Sequence, residues 1–213
     1  MKLFIWDFHG TLEKGTEWAA YEITNRVLHE YGYDQRMDEQ LVHRLYGKKW
    51  YEYFIHLLPH ESKETHIALQ KRCFEVDMEC PEIIEQAIKA NDHAASVLAG
   101  IASDHDQILI SNTSQERLRD FLHMTNLYEF FPEGKNFGAD AHRLEAHRSK
   151  QDVADEYLNG RDFEKIVVVG DSPQDMIPLP NAVRYLYAHE GREFKECDAD
   201  YRIRDLREVL REL

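Results

Sequence analysis

Cysteine is scarce in this chain, with only Cys73, Cys80 and Cys197 among 213 residues. Cys73 and Cys80 are spaced too widely for a CxxC redox pair, and their spacing does not fit a zinc knuckle. An odd count without a paired pattern argues against a secreted fold held by disulfides. We therefore expect reduced thiols and a cytoplasmic location.

Long hydrophobic runs are also missing. The first apolar stretch ends at Asp7, before it reaches the length of the hydrophobic region of a signal peptide. No later segment approaches the roughly 20 apolar residues that a membrane-spanning helix needs. The sequence therefore predicts neither export nor membrane insertion.

Positive charge is in deficit. The chain has 26 Lys and Arg against 40 Asp and Glu, a formal net charge of -14 at pH 7, and no basic run of useful length. Such a charge repels nucleic acids and anionic lipids, so neither is an expected partner. It also repels a small phosphorylated substrate, so a site for one requires a local cation and a few basic side chains.

What the chain does contain is an alternation of apolar runs and helical patterns. The apolar runs typical of buried strands are residues 2–6, 107–110, 165–169 and 183–187. The helical patterns of this alternation are residues 92–103, 114–124 and 150–158. Strands that alternate with helices predict an α/β fold with a doubly wound, Rossmann-like parallel sheet.

Residues 15–90 interrupt this alternation. They are rich in aromatic residues and in apolar residues at helical spacing, and they contain no convincing strand. We interpret them as an inserted α-helical cap that acts as a lid. The predicted domains are therefore an α/β core of residues 1–14 and 91–213 and a cap of residues 15–90.

Polar residues follow the predicted strands. Asp7, Ser111 and Asp171 each come directly after an apolar run, and ligands bind beyond the carboxyl ends of the strands in open parallel sheets. Taken alone, each is most simply a turn or helix-cap residue. Lys150 lies at a predicted helix start between the second and third of these strand ends.

Four short motifs in this order resemble those of the haloacid dehalogenase superfamily. Residues 4–11 resemble hhhhDxDGT, with His9 in place of the second Asp. Ser111 matches the Ser or Thr of the second motif and Lys150 matches the lysine of the third, which opens a helix. Lys135 competes for the third motif, but it precedes an apparent strand at residues 136–139, so Lys150 fits better. Residues 170–175, Gly-Asp-Ser-Pro-Gln-Asp, match the fourth motif, GDSxxD. The resemblance covers nearly the whole chain, including a last short strand and terminal helix near residues 199–206.

The resemblance implies Mg²⁺-dependent hydrolysis of a small phosphorylated metabolite, a phosphate monoester, through an aspartyl-phosphate on Asp7. Hard oxygen ligands suit Mg²⁺. The implied metal ligands are Asp7, the backbone carbonyl of His9, Asp171 and Asp175. The implied phosphate ligands are Thr11, Ser111, the backbone amide of Asn112, and Lys150.

His9 departs from the family pattern, in which the second acid protonates the leaving oxygen and later activates water. One interpretation is that His9 takes over as general acid and base, since histidines titrate near neutral pH. A second is cleavage of a C–halogen or C–P bond from the same nucleophile. A third is a non-hydrolysing phosphate-binding or regulatory protein. We favour the first, because the fourth motif keeps both of its acids.

Substrate selection is expected to reside in the cap. Residues 47–51 resemble the glycine-containing bend from which helical caps contact the leaving group, so Lys48, Lys49 or Trp50 is a candidate contact, although packing of the cap explains Trp50 equally well.

His142 and His147 lack the spacing of a zinc site, and we predict that they are surface residues.

Overall fold

The computed structural model describes residues 1–140 and 148–213. These residues form two compact units, Met1–Lys14 with Lys89–Leu213, and Gly15–Ile88. The predicted surface residues His142 and His147 lie outside the described residues. Every helix in the described ranges is too short or too polar to span a membrane.

The elements follow one another along the chain in two parts. The first part contains β1 (Leu3–Trp6), β2 (Glu13–Lys14), α1 (Thr16–Glu30), α2 (Glu39–Leu45), α3 (Trp50–Leu57), α4 (Lys63–Glu79), α5 (Pro81–Ala87) and β3 (Lys89–Ala90). The second part contains α6 (Ala94–Ala102), β4 (Asp106–Ser111), α7 (Gln115–Met124), β5 (Asn136–Gly138), α8 (Lys150–Leu158), β6 (Ile166–Gly170), β7 (Ala182–Tyr187) and β8 (Tyr201–Ile203). Short 3₁₀ helices cover Tyr128–Phe130, Pro173–Asp175 and Leu206–Glu212.

Six strands of the described residues form one parallel sheet in the order β5-β4-β1-β6-β7-β8. The chain builds from β1 through β4 to β5 on one side, then crosses back and continues through β6 on the other side. Helices flank the sheet, and the reversal of direction falls beside β1, where such folds bind ligands. The predicted doubly wound α/β fold is confirmed.

The apolar side chains of β1 explain why this strand lies at the centre. Alternate residues of a strand face opposite sides of the sheet. Leu3 and Ile5 pack into a buried cluster that contains Val153 and Tyr157 of α8. Phe4 and Trp6, which face the other side, are fully buried as well. A strand that is buried on both faces is typical of a parallel sheet.

Local signals in the sequence set where the helices of the core begin. Ser114 caps α7 by accepting a hydrogen bond from Arg117 N, as a serine N-cap does. Ser149 caps α8 and forms a capping box with Asp152. Lys150 is therefore the first residue of α8, as predicted from the helical pattern.

The unit Gly15–Ile88 contains helices α1 to α5. A separate buried cluster lies within it, made of Met37, Leu41, Val42, Leu45 and Tyr53. Trp50 packs against this cluster and contacts Phe74 edge to face, with 5.1 Å between ring centroids. This unit therefore has a hydrophobic core of its own.

One local prediction was wrong. Residues 89–90 were expected to belong to a segment without strands, but Lys89–Ala90 forms β3, which pairs antiparallel with β2. A two-residue strand is too short to leave a periodic pattern in the sequence. The short strand and the terminal helix predicted near the end of the chain are present as β8 and as the 3₁₀ helix Leu206–Glu212.

Candidate active site

The carboxyl edge of the sheet carries the three polar residues that follow the predicted strands. β1 pairs with β4 on one side and with β6 on the other. Asp7 directly follows β1, and its N–H donates to Val169 O at 2.9 Å. Ser111 is the last residue of β4, and Asp171 directly follows β6. The three residues thus follow neighbouring strands at one edge.

A tight turn follows Asp7. The N–H groups of residues 11, 12 and 13 all donate to Phe8 O, at 3.2, 3.0 and 3.1 Å. Gly10 adopts a positive φ of 79° in this turn, a backbone conformation that glycine adopts without steric cost. The turn brings Thr11 back to the nucleophile candidate, so that Thr11 Oγ1 donates to Asp7 Oδ2 at 3.1 Å.

Lys150 joins two of the predicted acids. Its Nζ donates to Asp7 Oδ1 and, at 2.5 Å, to Asp175 Oδ1. The three side chains are only 5%, 7% and 4% exposed, respectively. Burial lowers the pKa of Lys150, but the charges of Asp175 and Asp7 outweigh that effect and raise the pKa above its usual value. Lys150 is therefore a buried, permanently charged ammonium.

Asp175 holds both Lys150 and the loop after β6. Its Oδ2 accepts hydrogen bonds from Asp171 N at 3.1 Å, Ser172 N at 2.9 Å and Ser172 Oγ at 2.6 Å. Its side chain packs so closely on Gly170 that a Cβ there would lie 2.1 Å from Asp175 Cβ. Glycine at position 170 is thus a steric requirement of the fourth motif.

The acidic residues Asp7, Asp171 and Asp175 each offer an oxygen within 4.8 Å of the others. Burial and the nearby charge of Asp175 raise the pKa of Asp7 to about 7, although Lys150 opposes the shift. Burial also raises the pKa of Asp171, although Lys195 Nζ lies 2.7 Å from its Oδ2 and opposes the shift. These carboxylates are therefore short of positive charge.

The donor set fits a hard divalent cation. Three carboxylates stand against two lysines, Lys150 and Lys195, which leaves one formal negative charge. In the described part of the chain, Oδ1 of Asp171 accepts no hydrogen bond from another residue. Carboxylate oxygens at this spacing suit Mg²⁺, which binds through one or two carboxylates and keeps several waters.

The loops after β4 and β6 contact each other across the site. Ser111 is buried, and its Oγ accepts a long hydrogen bond of 3.4 Å from Thr113 N. The side-chain amide of Asn112 donates to Gln174 Oε1 at 3.0 Å. Both loops are therefore linked through a pair of exposed amides, while a contact of Ser111 or of the Asn112 backbone with phosphate stays a prediction.

His9 lies in the turn after Asp7, with its side chain 23% exposed. Its Nδ1 is 3.0 Å from Oε1 of Glu13, whose side chain is fully buried. The His9 ring contacts Phe8 and Phe121 edge to face, with 5.1 Å between centroids in each pair. The imidazole thus has a carboxylate at one nitrogen and aromatic rings on its sides.

The other candidate lysines belong to the opposite edge of the sheet or to the second unit. Lys135 binds Asp106 and Tyr157 where β4 and β5 begin, which is the amino edge of the sheet. Lys48 and Lys49 belong to the unit Gly15–Ile88, where Lys49 is the N-cap residue of α3. The choice of Lys150 over Lys135 is therefore consistent with the geometry.

Sequence reasoning missed three residues that touch the site: Glu13, Lys195 and Gln174. Lys195 had no signal, because it is one polar residue in a polar loop, and Gln174 occupies a position that the fourth motif leaves unspecified. Glu13 follows His9 by four residues within a glycine-containing turn, and that spacing was a visible but weak indication of a contact.

Comparison with known proteins gives a family and a fold. A model of the haloacid dehalogenase-like hydrolase family matches residues 1–182. The comparison with curated protein sequences found no match.

Several solved structures share the architecture. A haloacid dehalogenase-like family protein from Streptococcus pneumoniae has a TM-score of 0.76 and 16% identity, over 99% of this chain and 97% of that one. A predicted phosphoglycolate phosphatase from Haemophilus somnus 129pt has a TM-score of 0.75 and 16% identity, over 100% and 97%. A hydrolase of the same family from Deinococcus radiodurans R1, with bound phosphate and sodium, has a TM-score of 0.69 and 16% identity, over 97% and 92%.

Proposed function

Because this chain belongs to the haloacid dehalogenase-like hydrolase family, as its four motifs predicted, we propose that it hydrolyses a phosphate monoester of a small metabolite in a Mg²⁺-dependent reaction. The observation that carries this proposal is the buried Lys150, which binds both Asp7 and Asp175 while Asp171 lies within 4.8 Å of them. The similar structures from H. somnus, a predicted phosphatase, and from D. radiodurans, with bound phosphate, support the substrate class.

Asp7 is the proposed nucleophile. Its carboxylate attacks phosphorus, the bond to the leaving oxygen breaks, and an aspartyl-phosphate forms. Thr11 Oγ1 and Lys150 Nζ each bind one carboxylate oxygen of Asp7, and these contacts limit the orientations that the nucleophile can adopt. Thr11 was predicted as a phosphate ligand, and its contact with Asp7 supports a further role in orienting the nucleophile.

Mg²⁺ is proposed to bind Asp7, the backbone carbonyl of His9, and Asp171, with Asp175 as the remaining candidate ligand. When bound, the ion supplies positive charge to the transferring phosphoryl group. Asp175 already accepts hydrogen bonds at both oxygens. This favours a role in which Asp175 positions Lys150 and the loop that carries Asp171.

Ser111, the backbone amide of Asn112, and Lys150 are proposed to bind phosphate oxygens. His9 is proposed to give a proton to the leaving oxygen and then to take one from the water that attacks the aspartyl-phosphate. Its hydrogen bond with Glu13 supports this assignment, because a carboxylate at one nitrogen is a common way to orient a catalytic imidazole.

The unit Gly15–Ile88, close to the predicted range 15–90, is proposed to act as the cap. Lys48 is exposed, Lys49 is half-buried, and Trp50 is half-buried against Phe74. The two lysines are therefore the better candidates for contact with a substrate, and Trp50 is the better candidate for packing.

Turnover of p-nitrophenyl phosphate and of a panel of sugar and nucleotide monophosphates, with Mg²⁺ and with EDTA, tests the proposal. We expect Mg²⁺-dependent release of phosphate, and a loss of roughly 10⁴-fold or more in kcat for Asp7→Asn, as for removal of a catalytic nucleophile. Acid quenching should trap a phosphoenzyme in the wild type and none in Asp7→Asn. Activity that survives either EDTA or Asp7→Asn contradicts the mechanism.

A second panel separates the alternatives that His9 raises. Suppose that the protein is inactive on every phosphate ester but releases halide from 2-haloacids or phosphate from a phosphonate. That result supports cleavage of a C–halogen or C–P bond. Phosphate binding without any turnover supports the regulatory alternative. If His9→Asp then hydrolyses esters that the wild type leaves intact, His9 is the reason why the wild type lacks esterase activity on phosphate esters.

A further inference from the structure

Glu13 is a buried carboxylate next to the proposed active site. Its side chain is 0% exposed, and its Oε1 lies 3.0 Å from His9 Nδ1 and 3.2 Å from Gly10 N. Burial of a carboxylate is costly unless the group is hydrogen-bonded or paired with a cation. The imidazole of His9 and the amide of Gly10 supply hydrogen-bonding partners, so the position of Glu13 is tied to that of His9.

The backbone of Glu13 is held by contacts that do not involve the imidazole of His9, and a backbone bridge between the two residues is one of them. Glu13 belongs to β2 and pairs with Ala90 of β3. Asn91, which follows β3, donates from its side chain to Thr11 O at 2.7 Å and from its backbone to Leu12 O at 2.8 Å. The turn and the strand that hold the carboxylate are thus anchored by backbone contacts. The Glu13 carboxylate is therefore already in place as an acceptor for the His9 ring, which contacts Phe8 and Phe121.

A carboxylate anion can only accept hydrogen bonds. A neutral His9 that bonds to it must therefore carry its proton on Nδ1, which leaves Nε2 as the basic nitrogen. Positioning by a carboxylate in this way selects both the tautomer and the ring orientation of a histidine. The family's first motif has an acid at this position, and a carboxyl group has no ring tautomer to select, so the need for such a partner comes with the histidine.

We propose that Glu13 is a positioning residue that orients His9 and selects its Nδ1–H tautomer, so that proton exchange with the leaving group runs through Nε2. The catalytic part of this inference rests on the proposed function. The tautomer does not, because it is a property of the resting protein.

The first experiment measures the tautomer. Two-dimensional ¹H–¹⁵N NMR of the imidazole, at about pH 8.5 where histidines are neutral, should show His9 protonated on Nδ1 in the wild type. In Glu13→Ala it should move towards the Nε2–H form, and Glu13→Gln, which keeps an oxygen acceptor, should fall between. His9→Ala assigns the resonance. An unchanged tautomer in Glu13→Ala overturns the proposal, whatever the activity.

The second experiment compares phenyl phosphate with p-nitrophenyl phosphate. Loss of a general acid slows the ester with the poorer leaving group more, and kcat/KM reports the steps up to leaving-group departure. Glu13→Ala should lower kcat/KM about 10- to 100-fold for phenyl phosphate, the usual range for loss of an outer-shell orienting partner. The loss should be less than about threefold for p-nitrophenyl phosphate. Glu13→Gln should recover part of the difference.

Two controls distinguish positioning from damage to the fold. Asp92→Asn removes the exposed ion pair between Lys14 and Asp92, next to the same two-stranded β2–β3 ladder, and should alter neither measurement. In a His9→Ala background, Glu13→Ala should cause no further loss of kcat/KM. An equal loss for both esters, or an undiminished loss in the His9→Ala background, shows a merely structural role. If the wild type hydrolyses neither of these esters nor any of the sugar and nucleotide monophosphates, the proposed function fails, and the tautomer alone decides the role of Glu13.

Discussion

Lys150 and Lys135 make similar contacts at opposite edges of one sheet. Lys150, at the carboxyl edge, binds the carboxylates of Asp7 and Asp175. Lys135, at the amino edge, binds Asp106 and the hydroxyl of Tyr157, each at 2.6 Å. One helix serves both edges, since α8 begins with Lys150 and contains Tyr157 near its end.

The two clusters differ in how well their charges are balanced. At the amino edge, one lysine faces one carboxylate, and Tyr157 also donates to Asp106 at 2.7 Å. Burial opposes the shift, but the hydrogen bonds from Lys135 and Tyr157 hold the pKa of Asp106 below its ordinary value. At the carboxyl edge, burial and the charge of Asp175 raise the pKa of Asp7 to about 7.

This difference is the one expected between a cluster that stabilises a fold and a cluster that binds a ligand. Where the acid has a cation and hydrogen-bond donors of its own, its pKa is lowered. Where the acids outnumber the cations, the pKa of an acid is raised. A pKa shift that disfavours the charged carboxylate, at the edge of the sheet where such folds bind ligands, is the pattern that functional sites show.

Replacing each lysine in turn by methionine is the test of this comparison with the largest expected effect. We expect Lys150→Met to lower kcat about 10²- to 10³-fold, because a preorganised charge at the reacting group is lost. Lys135→Met should leave kcat within about threefold, because no reacting group lies near it. Steady-state kinetics on p-nitrophenyl phosphate with Mg²⁺ checks both. Equal losses in the two variants would refute the distinction between the edges.

A second test uses the unfavourable ionisation of Asp7. The folded protein holds a proton on Asp7 with a pKa of about 7, against an ordinary value of 3.8. Metal-free stability should therefore fall as pH rises from about 4 to about 7, by roughly 4 kcal/mol at most, at about 1.4 kcal/mol per pKa unit. Asp7→Asn, which cannot ionise, should lack this loss.

Urea unfolding in EDTA at about pH 5 and about pH 8 measures that difference. The advantage of Asp7→Asn over the wild type should grow with pH, and added Mg²⁺ should reduce it, because the ion binds the ionised carboxylate. The expectation is contradicted if, without metal, the wild type is more stable than Asp7→Asn at about pH 8.

The amino edge should behave in the opposite way. The pKa of Asp106 is lower in the folded protein than its ordinary value of 3.8, so its stabilisation is present above that value and is lost as pH falls through the folded pKa. We expect Asp106→Asn to cost about 1 kcal/mol of unfolding free energy near neutral pH and less at about pH 3, below the ordinary pKa of 3.8, with kcat unchanged. Urea midpoints at both pH values provide the measurement, and a loss of turnover would refute the structural assignment.

The smallest expected effect concerns the link between the two site loops. Gln174→Ala removes the hydrogen bond from Asn112, which is exposed and worth about 0.5–1 kcal/mol. We expect kcat/KM to fall about two- to fivefold, because the loops that carry Ser111 and Asp171 lose one mutual restraint. The matched control is Gln151→Ala, which removes an exposed hydrogen bond to Asp155 on α8 and should change nothing.

Much of the fold was predictable because its signals are local. The strands β1, β4, β6 and β7 were predicted within one residue at each end, since each is an apolar run that stops at a polar or small residue. The bounds of α8 were predicted without error, because Ser149 caps the helix and Lys150 begins it. The strand β3 could not be predicted, since two residues carry no period and form a strand only by pairing with β2.

The site divided along the same line. Asp7, Ser111, Lys150 and Asp171 lie next to strand or helix ends, where a pattern marks them. Glu13 reaches the site from a two-residue strand, Gln174 from a short 3₁₀ helix and Lys195 from a loop, where neighbouring residues in sequence carry little information about contacts in space.

By itself, the sequence determined the family, the order of strands and helices, and the polar residues that end the strands, because hydrophobic period and capping act over a few residues. Only the tertiary structure decided that Lys150, 143 residues from Asp7 along the chain, shares its ammonium between Asp7 and Asp175. It also decided that Lys135 belongs to the other edge, and that Glu13 holds His9. Parallel pairing brings distant residues together, and no local pattern encodes which of them will meet.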